Sequence, residues 1–143
     1  MTVNDKLQTQ DRLLKHEIIQ GSVCKLCDDS AESRNHLFFE CKLSNAVWNG
    51  IMEWLKFKWR SCDWSTLLNW YCFRLKGKGF KQKTKRMALA AAVYNIWRER
   101  NNRIFQLKCK TPDAIIKDIK MDIFVAILNG SPSAEDREWI LSL

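Results

Sequence analysis

The sequence predicts an all-α domain of about five helices folded around one short cysteine-rich loop. Three observations carry that expectation. Apolar residues recur at three- and four-residue steps through most of the chain. Capping residues and a proline fall at the edges of those stretches. Three of the six cysteines and one of the two histidines crowd into residues 24–41. Seven tryptophans and an apolar content of 46% mark a chain that folds around a core rather than a disordered tail.

Taken in order, "DKLQTQDRLLKHEII" carries Leu7, Leu13, Leu14 and Ile18, with Thr9 placed to cap a short helix that Gly21 ends. The cysteine cluster follows as loop and tight turns. "LSNAVWNGIMEWLKF" (43–57) sets Val47, Trp48, Ile51, Trp54 and Leu55 on one helical face. "DWSTLLNWYCFRL" (63–75) repeats the pattern, with Asp63 as cap and Leu67, Leu68, Tyr71 and Leu75 inward. "KGKGFKQKTKR" (76–86) holds two glycines and six basic residues, and reads as an exposed loop running into the next helix. From Thr84 to Phe105 the helical signal is strongest: Leu89, Val93, Ile96, Trp97, Arg100 and Ile104 share a stripe, and alanines 88 and 90–92 permit close packing. Thr111 before Pro112 opens another helix, whose Ile115, Ile116, Ile119, Ile123 and Ile127 form a stripe closed by Asn129–Gly130. "SPSAEDREWILSL" is either a mobile tail or one last short helix.

The length of 143 residues suits one domain. The longest apolar run, "MALAAAV" at 87–93, is far short of the roughly 20 residues that span a bilayer. The N-terminal "MTVNDKLQTQ" has no apolar segment of the secretory kind. The expectation is an intracellular protein without membrane contact. In that setting thiols stay reduced, and clustered cysteines point to metal rather than disulfides.

Cys24, Cys27, His36 and Cys41 follow the pattern C-x2-C-x8-H-x4-C. The close cysteine pair forms one edge of a tetrahedron, and the His with the third Cys returns as the other. Zinc suits this donor set: it binds thiolate and imidazole and accepts four-coordinate geometry without strain. Four protein ligands leave no position open for water, so such a site holds a fold together and activates no nucleophile. Three thiolates around Zn²⁺ sum to about −1, which makes Lys25, Arg34 and Lys42 candidates to lie beside them. Cys62, Cys72 and Cys109 fall outside the pattern and read as core or surface thiols.

No catalytic set emerges. Asp118 and Asp122 sit four apart on a helix, but Lys117 and Lys120 are interleaved, and the group reads as a solvated polar face. His16 has no identifiable nucleophile beside it. Lysine and arginine outnumber the acids 24 to 16, a formal charge of +8 that attracts polyanions. Lys76, Lys78, Lys81, Lys83, Lys85 and Arg86 concentrate that charge as a phosphate-binding surface, a nuclear import signal or a solvated loop. Phe80 offers a ring beside Lys81 for stacking on single strands. Arg98, Arg100 and Arg103 extend the basic surface, with Glu99 placed to pair with Arg103.

Residues Leu7, Thr9, Arg12 and Leu13, then Cys24, Cys27, Glu32, Ser33, His36, Leu37, Phe38, Phe39, Cys41 and Trp48, form a recognisable series. It resembles the zinc-binding domain at the C-terminal end of plant LINE-type (non-LTR) retrotransposon reverse transcriptases. "IWRERNNRIF" (96–105) is similar to the tryptophan–arginine–asparagine helix that follows in the same elements. The resemblance implies a zinc-binding-like domain over 1–106, with its zinc loop at 20–45, and a C-terminal helix and tail over 107–143. It further implies a C-terminal piece of a retroelement polyprotein. The family's tryptophan-rich opening, its polymerase aspartates and a ribonuclease H segment are not found in the sequence, so polymerase activity does not carry over.

The expected function is a non-catalytic, zinc-stabilised module that contacts RNA or DNA through the basic surface, in the nucleus or the cytoplasm, with no small-molecule substrate. Two alternatives stand beside it: a protein-interaction module whose exposed tryptophans dock on a partner, and an expressed retroelement fragment without function.

Overall fold

A tight turn after Val23 leads into a π-helical turn (His36–Glu40), and five α-helices follow: α1 (Lys42–Trp54), α2 (Trp64–Asn69), α3 (Phe80–Phe105), α4 (Pro112–Asn129) and α5 (Ala134–Leu141). The computed structural model describes residues 23–56, 63–69, 79–105 and 109–143. Among these no strand forms; one isolated antiparallel bridge joins Val23 to Ala31. The stretch at 7–18, and Tyr71 and Leu75 of the expected 63–75 helix, lie outside the described residues.

The apolar stripes become one core. Ile115, Ile119, Ile123 and Ile127 of α4 are buried, as are Ala88, Leu89, Ala92, Val93 and Ile96 of α3 and Val47, Trp48, Ile51 and Trp54 of α1. Helix α4 lies against both α3 and α1. Ala88 and Ala92, both fully buried, leave room for close packing on α3. Gly50 does the same on α1, where an added Cβ would run into the Ile116 side chain.

Local chemistry sets the helix ends. The Asp63 carboxylate accepts the Thr66 N–H at 2.8 Å, and that amide holds its pKa below the ordinary value. Thr111 Oγ1 accepts the Ala114 N–H at 3.2 Å, with Pro112 in the first turn. Ser133 Oγ accepts the Asp136 N–H at 3.1 Å, so the C-terminal stretch is the short helix rather than a tail. Helix α4 ends differently from expectation: Gly130 is right-handed at φ −84°, and the left-handed residue is Ser131 at φ 52°.

Helix α3 also begins earlier than the sequence suggests. The Gly79 carbonyl accepts the Lys83 N–H at 3.0 Å, and buried Thr84 returns its hydroxyl to the Phe80 carbonyl at 2.9 Å. Lys81–Arg86 is therefore helical, not a loop. At 26 residues, α3 extends about 39 Å. No helix among the described residues is long and apolar enough to cross a membrane.

Ile119, fully buried, and Met121, 53% exposed, test this packing within one helix. Ile119→Ala is expected to cost about 2–5 kcal/mol in urea unfolding, and Met121→Ala within about 0.5 kcal/mol. Equal costs would contradict the placement of α4.

Candidate metal centre

The first pair of sulfurs is set by a chain reversal. Cys24 N–H donates to the Ser30 carbonyl and Asp28 N–H to the Cys24 carbonyl, both at 2.8 Å. Asp28 takes the left-handed conformation at φ 57°, one that aspartate tolerates better than most side chains. Inside this turn the Leu26 N–H donates to Cys24 Sγ at 3.4 Å.

The second pair is set by the π-helical turn. Ser33 Oγ accepts the His36 N–H at 3.0 Å and fixes where the turn starts. The Cys41 N–H then donates to the His36 carbonyl at 2.7 Å. That five-residue hydrogen bond ties the two residues together and explains how x4 spacing puts both on one side. Buried Leu37, Phe38 and Phe39 seat the turn. Phe38 meets Trp64 edge-on at 5.2 Å between ring centres, and Phe39 stacks on Trp48 at 5.6 Å. Ser44 Oγ–H donates to the Leu37 carbonyl and Trp48 Nε1–H to the Phe38 carbonyl, so α1 satisfies the turn's buried oxygens.

The structure brings all four expected ligands together. Their donor atoms lie within 4.8 Å of one another, with Cys24 Sγ 3.9 Å from Cys41 Sγ and Cys27 Sγ 3.4 Å from His36 Nε2. A tetrahedral thiolate–imidazole centre needs edges of about 3.8 Å between sulfurs and about 3.6 Å from sulfur to nitrogen. The residues fit a metal ion. Cys24 and Cys41 are fully buried and His36 is 9% exposed, so the arrangement is closed to solvent on most sides.

Electrostatics favour charge on Cys41. The Cys24 thiol donates to Cys41 Sγ, which lifts Cys24 far above its ordinary pKa and lowers that of Cys41. Burial adds to the rise at Cys24 and opposes the fall at Cys41. Cys41 is also the N-cap residue of α1, where the Leu43 and Ser44 amides favour its thiolate without a close cap hydrogen bond. A bound cation would supply the positive charge that lets the buried Cys24 thiol ionise as well.

The cations expected beside the cluster are mostly engaged elsewhere. Lys42 pairs with Asp29 at 2.8 Å, which raises the Lys42 pKa, with smaller contributions from Cys27 and Cys41. Arg34 lies over the Trp64 ring at 5.9 Å, and Lys25 is exposed.

The last turns of α3 grip the loop instead, through Glu32 and the Leu26 carbonyl. Arg100 reaches buried Glu32 at 3.1 Å and stacks on Trp97 at 4.8 Å, and Trp97 in turn stacks on Phe38 at 6.3 Å. Arg103 donates to the Leu26 carbonyl, between the two cysteines, at 2.9 Å. It also donates to Glu99 at 2.7 Å and to the Lys110 carbonyl at 3.0 Å, while Glu99 accepts the Lys110 N–H at 2.9 Å. Arg100 and Arg103 are therefore internal clamps and do not extend a basic surface. Sequence reasoning missed the Glu32–Arg100 pair, although both residues lie in the stretches that carry the resemblance.

Arg98 donates to Asn95 at 2.8 Å and lies 3.9 Å from Asp118, which also pairs with Lys110 at 2.5 Å. Asp122 accepts from Asn95 at 3.0 Å. Both carboxylates are thus committed to neighbours. Lys81 and Lys83 are exposed and Lys85 and Arg86 half-buried in the first turns of α3, about 21–28 Å along the helix from Arg100. Lys76, Lys78, Cys62 and Cys72 lie outside the described residues, and Cys109 is an exposed free thiol. Phe80 is no open stacking face, because it packs edge-on against Trp139 at 5.8 Å.

Fold and site together define a helical domain with a largely buried Cys₃His cluster that could hold a metal ion. Residues 1–48 match a family of domains described as zinc-binding in reverse transcriptase, and the match takes in all four ligands. That family is a zinc-binding domain and not the catalytic part of the enzyme. No curated protein and no solved structure matches the chain.

Glu32→Ala would strand the Arg100 guanidinium in a buried setting, at an expected cost of about 3–5 kcal/mol. Chemical denaturation should show that loss, accompanied by faster labelling of Cys24 by a thiol reagent. Wild-type stability and labelling in the variant would show the pair to be dispensable.

Proposed function

We propose that the chain is a non-catalytic, zinc-stabilised module of the plant LINE-type (non-LTR) reverse-transcriptase kind, contacting RNA or DNA through the basic start of α3. The observation that carries the reading is the closed Cys₃His cluster inside the segment that matches a zinc-binding family. Zinc is the favoured ion because three thiolates and one imidazole in tetrahedral array suit its softness and its lack of geometric preference. In this reading residues 1–106 are the zinc-binding unit, and the helices after 107 buttress it.

A polyanion partner is supported by the formal charge of +8 and by Lys81, Lys83, Lys85 and Arg86, grouped where the helix dipole is also positive. The alternative based on exposed tryptophans has less support. Among the described tryptophans, Trp48, Trp54 and Trp64 are buried and Trp97 and Trp139 half-buried; Trp59 and Trp70 lie outside the described residues. With every ligand position filled by protein, the metal's work is structural, and Asp118 and Asp122 are engaged by Lys110 and Asn95 rather than poised for two-metal chemistry.

Elemental analysis of purified protein should give one zinc per chain, lost in Cys27→Ser; a folded wild type without metal would overturn the reading. Binding to single-stranded RNA or DNA should weaken with salt at a log–log slope of roughly −3 for about four phosphate contacts. Replacing Lys81, Lys83, Lys85 and Arg86 by alanine should flatten that slope and leave zinc content unchanged. A quadruple variant that binds as tightly as wild type would remove the nucleic-acid assignment.

A further inference from the structure

Between α4 and α5 the chain makes a short turn, Gly130-Ser131-Pro132-Ser133, that forms one wall of a cleft of about 220 Å³. The facing wall is the first turns of α3, and Phe80, Lys83 and Thr84 line it. Ser131 is exposed, left-handed at φ 52°, and followed by proline. That is the dipeptide a proline-directed protein kinase requires.

We propose that Ser131 is a phosphorylation site whose phosphate is received by Lys83 across this cleft. In the transfer Ser131 Oγ attacks the γ-phosphorus of ATP, and a new O–P bond forms. The bond from that phosphorus to the bridging oxygen breaks, ADP leaves, and the hydroxyl proton passes to the kinase's base.

The neighbouring hydroxyls are less suited. Ser133 spends its oxygen capping α5 and is followed by alanine; Thr84 is buried and bonded to the Phe80 carbonyl. Thr111 also precedes a proline, but its oxygen caps α4, the helix that carries the isoleucine core. A kinase must draw its substrate segment into an extended form, which at Thr111 means unravelling that core. At Ser131 it means displacing α5, which buries only Ile140 fully and leans on α3 through Trp139 against Phe80 and Lys81.

Once added, the phosphate carries about −1.5 to −2 charge and three strong acceptors. It shares the cleft with Lys83, and also with Asp136, which limits the attraction. Lys83 supplies the countercharge. A second consequence rests on the proposed function: a dianion beside the start of α3 would subtract from the surface offered to nucleic acid.

The test uses the full chain, a recombinant proline-directed kinase and Mg-ATP. Peptide mapping should place one phosphate on Ser131 in preference to Thr111, and Ser131→Ala should abolish it. Phosphorus NMR of the modified protein should show the phosphate titrating at lower pH than in the Lys83→Ala protein modified in the same way. Modification confined to Thr111, or identical titration with and without Lys83, overturns the proposal. Neither readout involves nucleic acid, so failure here is separate from failure of the nucleic-acid reading.

Discussion

Two arginines one turn apart near the end of α3 reach into the cysteine-rich loop, and the rest of the fold is arranged around that grip. Arg100 neutralises buried Glu32, and Arg103 holds the Leu26 carbonyl while bracing Glu99 and Lys110. Burial of Leu26, Leu37, Phe38 and Phe39 seats the loop on the helices. It is held at two further places: where its four donor side chains converge, and by guanidinium groups whose donor geometry serves a carboxylate and carbonyls at once. Lysine offers no such fork, which is why the same charge would not do the same work.

The convergence of Cys24, Cys27, His36 and Cys41 was legible in the sequence because a C-x2-C-x8-H-x4-C spacing is a tighter signal than packing leaves. So were the stripes of α1, α3 and α4 and the caps at Asp63 and Thr111, since each is a local signal. The π-helical turn was not legible: nothing in "HLFFE" separates a five-residue hydrogen bond from a four-residue one, and tertiary packing of Phe38 and Phe39 decides it. The arginines were misread for a related reason. A helix with Arg98, Arg100 and Arg103 looks like a charged surface until the partner carboxylate at Glu32, 68 residues away, is brought beside it. The basic run at 76–86 reads as a loop because two glycines weigh against a helix, yet both precede the α3 start, and the described part from Phe80 to Arg86 is helical.

This arrangement separates two chemistries along one helix. The C-terminal turns of α3 spend their positive charge internally, on the loop that carries the thiolates. The N-terminal turns present Lys81 and Lys83 to solvent. Net charge alone would not reveal the division. Arg100 and Arg103 are committed to the loop, whereas Lys81 and Lys83 stand exposed at the opposite end of the same helix.

The central claim is that the metal-type loop and the last turns of α3 form one cooperative unit. Amide hydrogen exchange, followed residue by residue with and without a chelator of divalent metal, tests it most directly. The account predicts that chelation exposes the amides of residues 24–41 and of Trp97–Arg103 together, at a common rate. It is contradicted if the loop loses protection while Trp97–Arg103 keeps the protection it has in untreated protein.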